Sequence, residues 1–283
     1  MRLASFLIGG RASYGLVCDG GVVDLKRRLG DQVPDLRALL AGGIDGANDF
    51  ARASADYSLD AVTWLPVIPN PTAIYCIGLN YRAHAEEVGR PAGEWPAVFL
   101  RLAASQIGHL QPIVRPLVSR QLDYEGELAV IIGRPARHVA AADALRHIAG
   151  YAVYNDASVR DWQRHSAQYT PGKNFPATGA FGPWLVSSEE VPDPSQLELI
   201  TRLNGVVVQY AQLTELIFPI PEIVAYLSQF TRLEAGDVII TGTPSGVGST
   251  RSPQLWLVPG DTIEVDIRGI GMLSNTIIDE TPS

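Results

Sequence analysis

The sequence predicts an α+β, strand-rich fold, and three observations carry that prediction. Short runs rich in β-branched and aromatic residues recur along the chain, turns containing glycine and proline separate them, and few stretches hold helical spacing. Residues 1 to about 30 alternate β-like runs at 3–8, 13–17 and 21–25 with glycine turns, the pattern of a small antiparallel unit. Helical spacing follows. Leu36, Leu39 and Leu40 share one face, Gly42-Gly43 ends that helix, and residues 47–55 are read as a second one. Pro66, Pro69 and Pro71 then mark a boundary, so residues 1–68 are expected to form a small N-terminal α+β domain and 69–283 the larger domain.

Beyond the boundary β runs dominate, at 73–77, 97–100, 127–132, 151–154, 184–186, 197–203, 206–210, 237–241, 262–267 and 271–275. Residues 143–148 and 221–231 are the clearer helices, the second with Ile223, Tyr226, Leu227 and Phe230 on one side. The turns at 234–237 and 258–261 are expected to join strand pairs in a folded-over, largely antiparallel sheet.

Composition narrows the function. With 46% hydrophobic residues and a mean hydropathy of +0.09, the chain is an ordinary globular one rather than a disordered one. A net charge of −8 without a basic cluster disfavours nucleic acid, and it requires any anionic substrate to meet cations placed locally in its site. Cys18 and Cys76 are read as reduced thiols, which together with a first apolar run interrupted by Gly9-Gly10-Arg11 points to the cytoplasm and not to export. The uncharged run 61–81 has membrane-spanning length but carries three prolines and two asparagines, so it is read as a linker entering a strand.

The chemistry concentrates in Asp123-Tyr124-Glu125-Gly126-Glu127, followed by apolar Leu128 to Ile132, and in Asn155-Asp156 some thirty residues later. Side chains two apart on a strand share a face, so Glu125 and Glu127 can converge, and Asp156 is the proposed third member. Left unpaired beside apolar sequence, such carboxylates repel one another and lose hydration; a divalent cation removes both costs. An all-oxygen set favours Mg²⁺ first, with Mn²⁺ or Ca²⁺ also fitting and Zn²⁺ disfavoured. Taken alone, the Glu-X-Glu pattern favours the wet face of an edge strand.

A second constellation is His84 with Glu87, three apart in a helix-compatible segment ended by Gly89 and Pro91. A carboxylate that holds an imidazole raises its basicity and fixes its tautomer, as a general base requires, although an exposed helix pair has the same spacing. Gly242-Thr243-Pro244-Ser245-Gly246 has neither the lysine of a phosphate-binding loop nor the serine of a nucleophile elbow. His109, His138, His147 and His165 lack zinc-ligand spacing and are assigned structural or surface roles, with His165 nearest the Asp156 segment.

From about Ile74 onward the chain resembles the fumarylacetoacetate hydrolase family. The resemblance rests on Gly78-Leu79-Asn80-Tyr81-Arg82-Ala83-His84, the Asp123 to Val130 block, Asn155 to Gln163, and Gly172-Lys173-Asn174-Phe175. It continues through Gly182-Pro183-Trp184, Thr241-Gly242-Thr243-Pro244-Ser245-Gly246 and Pro259-Gly260-Asp261, in family order. It implies a β-roll or mixed β-sandwich catalytic domain and a homodimer. It also implies metal binding by Glu125, Glu127 and Asp156, water activation by His84 with Glu87 on a mobile lid, and a charge-stabilising Lys173. Arg160, Gln163 and Thr243 are implied substrate contacts. Arg101 joins them, standing where many members have lysine in Phe-X-Lys-Pro. A second departure is Asn174-Phe175-Pro176, where many members have an acidic residue after the phenylalanine.

The leading expectation is hydrolytic C–C cleavage of an acylpyruvate or related 1,3-dicarbonyl oxo acid through a metal-stabilised enolate. Decarboxylation of an oxaloacetate-like acid and isomerisation of a hydroxymuconate-like dienoate need only different proton placement. A non-catalytic, metal-stabilised dimeric binding protein is the alternative from another class.

Overall fold

Glycine turns in the first 24 residues produce three antiparallel strands, β1 (Arg2–Ile8), β2 (Arg11–Cys18) and β3 (Gly21–Asp24), in a computed structural model that describes residues 1–91 and 93–282. Two short helices follow, α1 (Leu25–Leu29) and α2 (Leu36–Gly42), each started by an aspartate side chain, Asp24 or Asp35, that accepts a backbone N–H of the first turn. After β4 (Thr63–Trp64) come β5 (Ile74–Gly78), α3 (Arg82–Glu87), β6 (Ala97–Arg101), β7 (Gln106–Ile107), β8 (Ile113–Arg115), β9 (Leu122–Asp123), β10 (Gly126–Ile132) and β11 (Ile148–Asp156). The chain continues through β12 (Ser158–Val159), the single turns α4 (Arg160–Gln163) and α5 (Thr170–Lys173), β13 (Gly179–Ser187), β14 (Glu198–Leu203) and β15 (Val206–Gln212). It ends with α6 (Ile220–Phe230), β16 (Val238–Ile240), β17 (Thr262–Ile267) and β18 (Gly271–Asp279).

Among the described residues the strands form a two-stranded pair and two larger sheets. The eleven-stranded sheet runs β3-β2-β1-β13-β11-β10-β16-β5-β6, with β4 and β7 attached at its margins, and the five-stranded sheet runs β15-β14-β17-β18-β8. The fold is therefore α+β and strand-rich, as expected. Because β1 pairs with β13, the strands of the first 68 residues continue the larger sheet.

Strand periodicity places the core. Leu128, Val130 and Ile132 of β10 face the large core shared with Leu199, Val265 and Ile267 of the second sheet, whereas Ala129 and Ile131 face the core under β1 and α2. Between the two glutamates only glycine fits: a Cβ on Gly126 would lie 2.2 Å from Thr201 Oγ1 of the second sheet. Sheet packing thus dictates the middle residue of the Glu-X-Glu pattern.

Several expectations are corrected. The turns at 234–237 and 258–261 each lead into one strand, β16 or β17, without joining two; the pairing itself is largely antiparallel, as expected, with parallel pairs β16–β5, β13–β7 and β18–β8. The expected helices at 47–55 and 143–148 are 3₁₀ stretches, Ile44–Phe50 and Ala141–His147, the tighter form usual in short connecting pieces. The strand expected at 184–186 extends over Gly179–Ser187 despite Pro183, which removes one ladder donor where the register with β11 shifts, between Tyr151 and Val153.

Candidate active site

The ends of β10 and β11 assemble the site. Gly126 pairs with Asn155 and Glu127 with Tyr154, which brings Glu125, just ahead of β10, beside Asp156 at the end of β11. Asp156 N–H donates to the Glu125 carbonyl at 2.8 Å, and Glu125 N–H donates to Asn155 Oδ1 at 3.0 Å. Carboxylate oxygens of Glu125, Glu127 and Asp156 consequently lie within 4.8 Å of one another, all three buried.

The acids meet different environments. Burial would raise the Glu125 carboxyl, but the charges of Arg160 and Lys173 outweigh it and hold that group at about 2. Glu127 is pushed well above the usual carboxylate range by burial and by the neighbouring Asp156 and Glu125 charges, which outweigh a hydrogen bond from Gly242 N–H at 2.5 Å. Lys173, 2% exposed, donates to Glu125 Oε2 and, at 2.5 Å, to Asp156 Oδ2. Burial would depress its ammonium, yet Asp156 and Glu125 raise it, so it stays charged at neutral pH. An ammonium bridging two of the acids demonstrates that the cluster accepts a cation, and the all-oxygen donor set fits a hard divalent one.

Nine of the ten expected site residues line a single cavity of about 730 Å³: the triad, Lys173, His84, Glu87, Arg160, Gln163 and Thr243. Arg160 Nε donates to Asp123 Oδ2 at 2.8 Å, its Nη1 donates to Gln163 Oε1 at 3.0 Å, and its Nη2 stands 2.7 Å from Glu125 Oε1 as an ion pair. Thr243 Oγ1 donates to the Gly126 carbonyl at 3.1 Å and accepts from Gln209 Nε2 at 2.9 Å. His84 and Glu87 are on α3, with Nδ1 3.1 Å from Oε2, and Glu86 is exposed. Burial would raise the Glu87 carboxyl, but His84 and donors from Gly246 and Thr250 keep it below the usual range.

Arg101 is the exception. Expected beside the substrate, it lies outside the cavity wall, behind Asp156, where Nη1 donates to Asp156 Oδ1 at 2.5 Å and to the Ala157 carbonyl at 3.1 Å, and Nη2 donates to Thr178 Oγ1 at 2.7 Å. As the last residue of β6 it reaches Asp156 at the end of β11; its Nη donors are spent on protein groups, and its buried Nε has no partner among the described residues. His165 packs on Trp162 with ring centroids 4.8 Å apart and is not part of the cavity lining.

Sequence reading missed other contributors. Asp123 is fully buried and accepts from Arg160 and from the Gly248 and Ser249 amides at 2.8 and 3.0 Å, tying α4 to the 246–250 loop. Its place at the head of the acidic block was the available signal. Phe99, the aromatic of the motif that contains Arg101, also lines the cavity, as do Tyr169, Arg90, Arg164 and Thr250 from segments with no local signature.

Comparison with known proteins accords with this geometry. The family profile "Fumarylacetoacetate (FAA) hydrolase C-terminal" matches residues 73–278. Oxaloacetate tautomerase YisK of Bacillus subtilis is 43% identical over 226 residues, covering 78% of this chain and 75% of that protein. Among solved structures, a putative HpcE protein from Mycobacterium smegmatis shares 34% identity at a TM-score of 0.88, covering 99% of this chain and 100% of that one. Maleylpyruvate hydrolase from Sphingobium sp. SYK-6, in complex with manganese (II) ion and pyruvate, is 29% identical with a TM-score of 0.83 over 99% of this chain and 100% of that one. With the profile spanning the strands that build the cavity and relatives matching most of its length, the chain belongs to the fumarylacetoacetate hydrolase family.

Proposed function

We propose that this enzyme moves a proton on a small 2-oxo dicarboxylate, interconverting its keto and enol forms, with Glu125, Glu127 and Asp156 holding a divalent cation. The observation that carries this reading is the opening of the three acids, the Lys173 ammonium and the His84 imidazole on one cavity. Similarity to an oxaloacetate tautomerase supports it. A divalent cation in the triad supplies Lewis acidity that favours the enol form of a chelating 2-oxo acid.

The chain's own residues then have distinct tasks. Lys173, charged throughout, stabilises negative charge developing on the substrate oxygen and is not itself a base. Ionised Glu87 only accepts hydrogen bonds, so His84 Nδ1 carries the hydrogen and Nε2 is left as the nitrogen that takes and returns the substrate proton. Arg160 orients Gln163 at the cavity wall, while Phe99 and Tyr169 give the cavity an apolar side. Four carboxylates (Glu87, Glu125, Glu127, Asp156) face four cationic side chains (Arg90, Arg160, Arg164, Lys173) in the lining. With a divalent cation held by the triad, and Glu127 ionised by it, the lining would carry a surplus of two positive charges, which a dicarboxylate would neutralise.

Hydrolysis of an acylpyruvate is the second reading, favoured by the His84–Glu87 pair as a water-activating dyad and by similarity to maleylpyruvate hydrolase. Further parts of the proposal are Mg²⁺ as the resident ion, supported by the all-oxygen donor set, a homodimer, supported by the family resemblance, and a place in the cytoplasm, supported by the free thiols of Cys18 and Cys76.

The test follows the ultraviolet absorbance of enol-oxaloacetate and of acetylpyruvate with purified protein, in Mg²⁺ or Mn²⁺ against chelator, beside Glu125→Ala and His84→Ala. Metal-dependent enol decay without pyruvate release, lost in both variants, supports the tautomerase. Acetylpyruvate loss with pyruvate release supports the hydrolase, and silence on both substrates overturns both readings.

A further inference from the structure

The Glu87 carboxylate does not stand free beside His84: its other oxygen is received by a loop some 160 residues further along the chain. Glu87 Oε1 accepts the Gly246 N–H at 2.9 Å and the Thr250 hydroxyl at 2.8 Å, leaving Oε2 to His84 Nδ1. We propose that Gly246 and Thr250 form a dock for the Glu87 carboxylate, and that this dock positions the His84 imidazole over the carboxylate cluster. The inference rests on the reading of His84 as the proton-transferring base.

The dock is built in advance of its occupant. The Gly246 carbonyl accepts from Tyr124 Oη at 2.9 Å and from Arg251 Nε and Nη2, each at 3.1 Å, so the loop is clamped from its far side. Arg251 Nη2 also donates to the Val208 carbonyl at 2.7 Å, which ties the loop to β15. Only glycine serves at 246, because φ is +99° and a Cβ would lie 2.2 Å from the Val208 oxygen. With the loop held in this way, the direction of its amide is set by the fold and not by Glu87.

Thr250 is the adjustable half. Its single hydroxyl hydrogen has two acceptors within reach, Glu87 Oε1 at 2.8 Å and the Val247 carbonyl at 2.9 Å. An ionised carboxylate is the stronger acceptor, so the hydroxyl turns to Glu87 when α3 is docked. When Glu87 withdraws, the hydroxyl returns to Val247, and the Gly246 N–H, whose bond to Glu87 is solvent-exposed, passes to water. The loop therefore selects an ionised Glu87 and releases it at small cost. Once both donors hold Oε1, Oε2 is directed at Nδ1, which fixes the tautomer and the plane of the imidazole. Thr250 is thus a positioning residue that acts on the substrate through Glu87 and His84.

The experiment compares full-length wild type, Thr250→Val and Thr250→Ser, all loaded with Mn²⁺. Valine keeps the shape and removes the donor, whereas serine keeps the donor. For enol-oxaloacetate conversion, kcat of Thr250→Val is expected to fall roughly three- to tenfold, the range for one charge-assisted hydrogen bond at a partly exposed site, with KM within about twofold. Thr250→Ser is expected to restore kcat, and Mn²⁺ affinity by calorimetry is expected to be the same in all three. Hydrogen exchange of amides 84–89, read without substrate, should quicken in Thr250→Val and match wild type in Thr250→Ser. Wild-type exchange and kcat in Thr250→Val overturn the dock, as does an equal loss in valine and serine variants. If wild type turns over no 2-oxo acid while exchange still separates valine from serine, the dock stands and the catalytic reading falls.

Discussion

Lys173 Nζ lies 2.5 Å from Asp156 Oδ2 and also holds Glu125 Oε2, so one buried ammonium already compensates two of the three acids of the proposed metal centre. The same side chain is therefore asked to serve both stability and chemistry.

That double duty sets the outcome for Lys173→Met. Removing a buried cation leaves two carboxylates facing each other, a change that costs about 3–5 kcal/mol. Thermal denaturation should therefore show a large loss in chelator and substantial recovery with Mn²⁺. Activity on enol-oxaloacetate should stay absent in both conditions, which separates the chemical role from the structural one.

Glu127 carries the least comfortable charge of the cluster, so Glu127→Gln is expected to leave the metal-free protein as stable as wild type or more so. The amide nitrogen, however, replaces an anionic donor. Calorimetric titration with Mn²⁺ should show affinity lowered by at least about tenfold. An unchanged affinity would remove Glu127 from the ligand set.

Arg101→Lys tests the group behind Asp156. The guanidinium fork reaches Asp156, Ala157 and Thr178 together, and a lysine point charge does not reproduce that fork. Mn²⁺ affinity is expected to drop about tenfold, because support behind a metal ligand commonly has that weight, with the substrate KM at saturating metal little changed. A KM effect without a metal effect would return Arg101 to the substrate site.

His109 supplies a pH dependence away from the site. Its Nδ1 accepts the Ser274 N–H at 3.1 Å, its ring packs edge-on against Trp64, and burial pushes its pKa down to about 4. The unfolded chain titrates this group near 6.5, so below that pH the unfolded state binds the proton and the folded state does not. Stability present above about 6.5 should fall as pH drops toward 4, by about 1 kcal/mol at pH 5 after allowance for partial exposure. Urea denaturation at pH 7 and pH 5 checks this, with His109→Gln expected to lose the His109 share of the difference.

Most of the strand positions were legible because period-two patterning and turn residues are local properties. Runs such as 262–267 agree with their observed strand, and Gly42-Gly43 closes α2 where glycine was expected to end it. Where the reading failed, the competing influence came from elsewhere in the chain. Pro183 made β13 look short, although partners on both sides sustain it from Gly179 to Ser187. The parallel pairing of β16 with β5 joins segments more than 160 residues apart, beyond the reach of any turn signal.

The sequence by itself determined the chemical inventory: three carboxylates, a lysine and a histidine–glutamate pair whose spacing and setting pointed to one site and one family. Tertiary structure decided what each member experiences. Burial and neighbouring charge lower Glu125 but raise Glu127, although the two stand one residue apart. Packing turned Arg101 away from the cavity and brought Thr250 to Glu87, because dielectric environment and approach direction are properties of surfaces folded together, and local sequence carries neither.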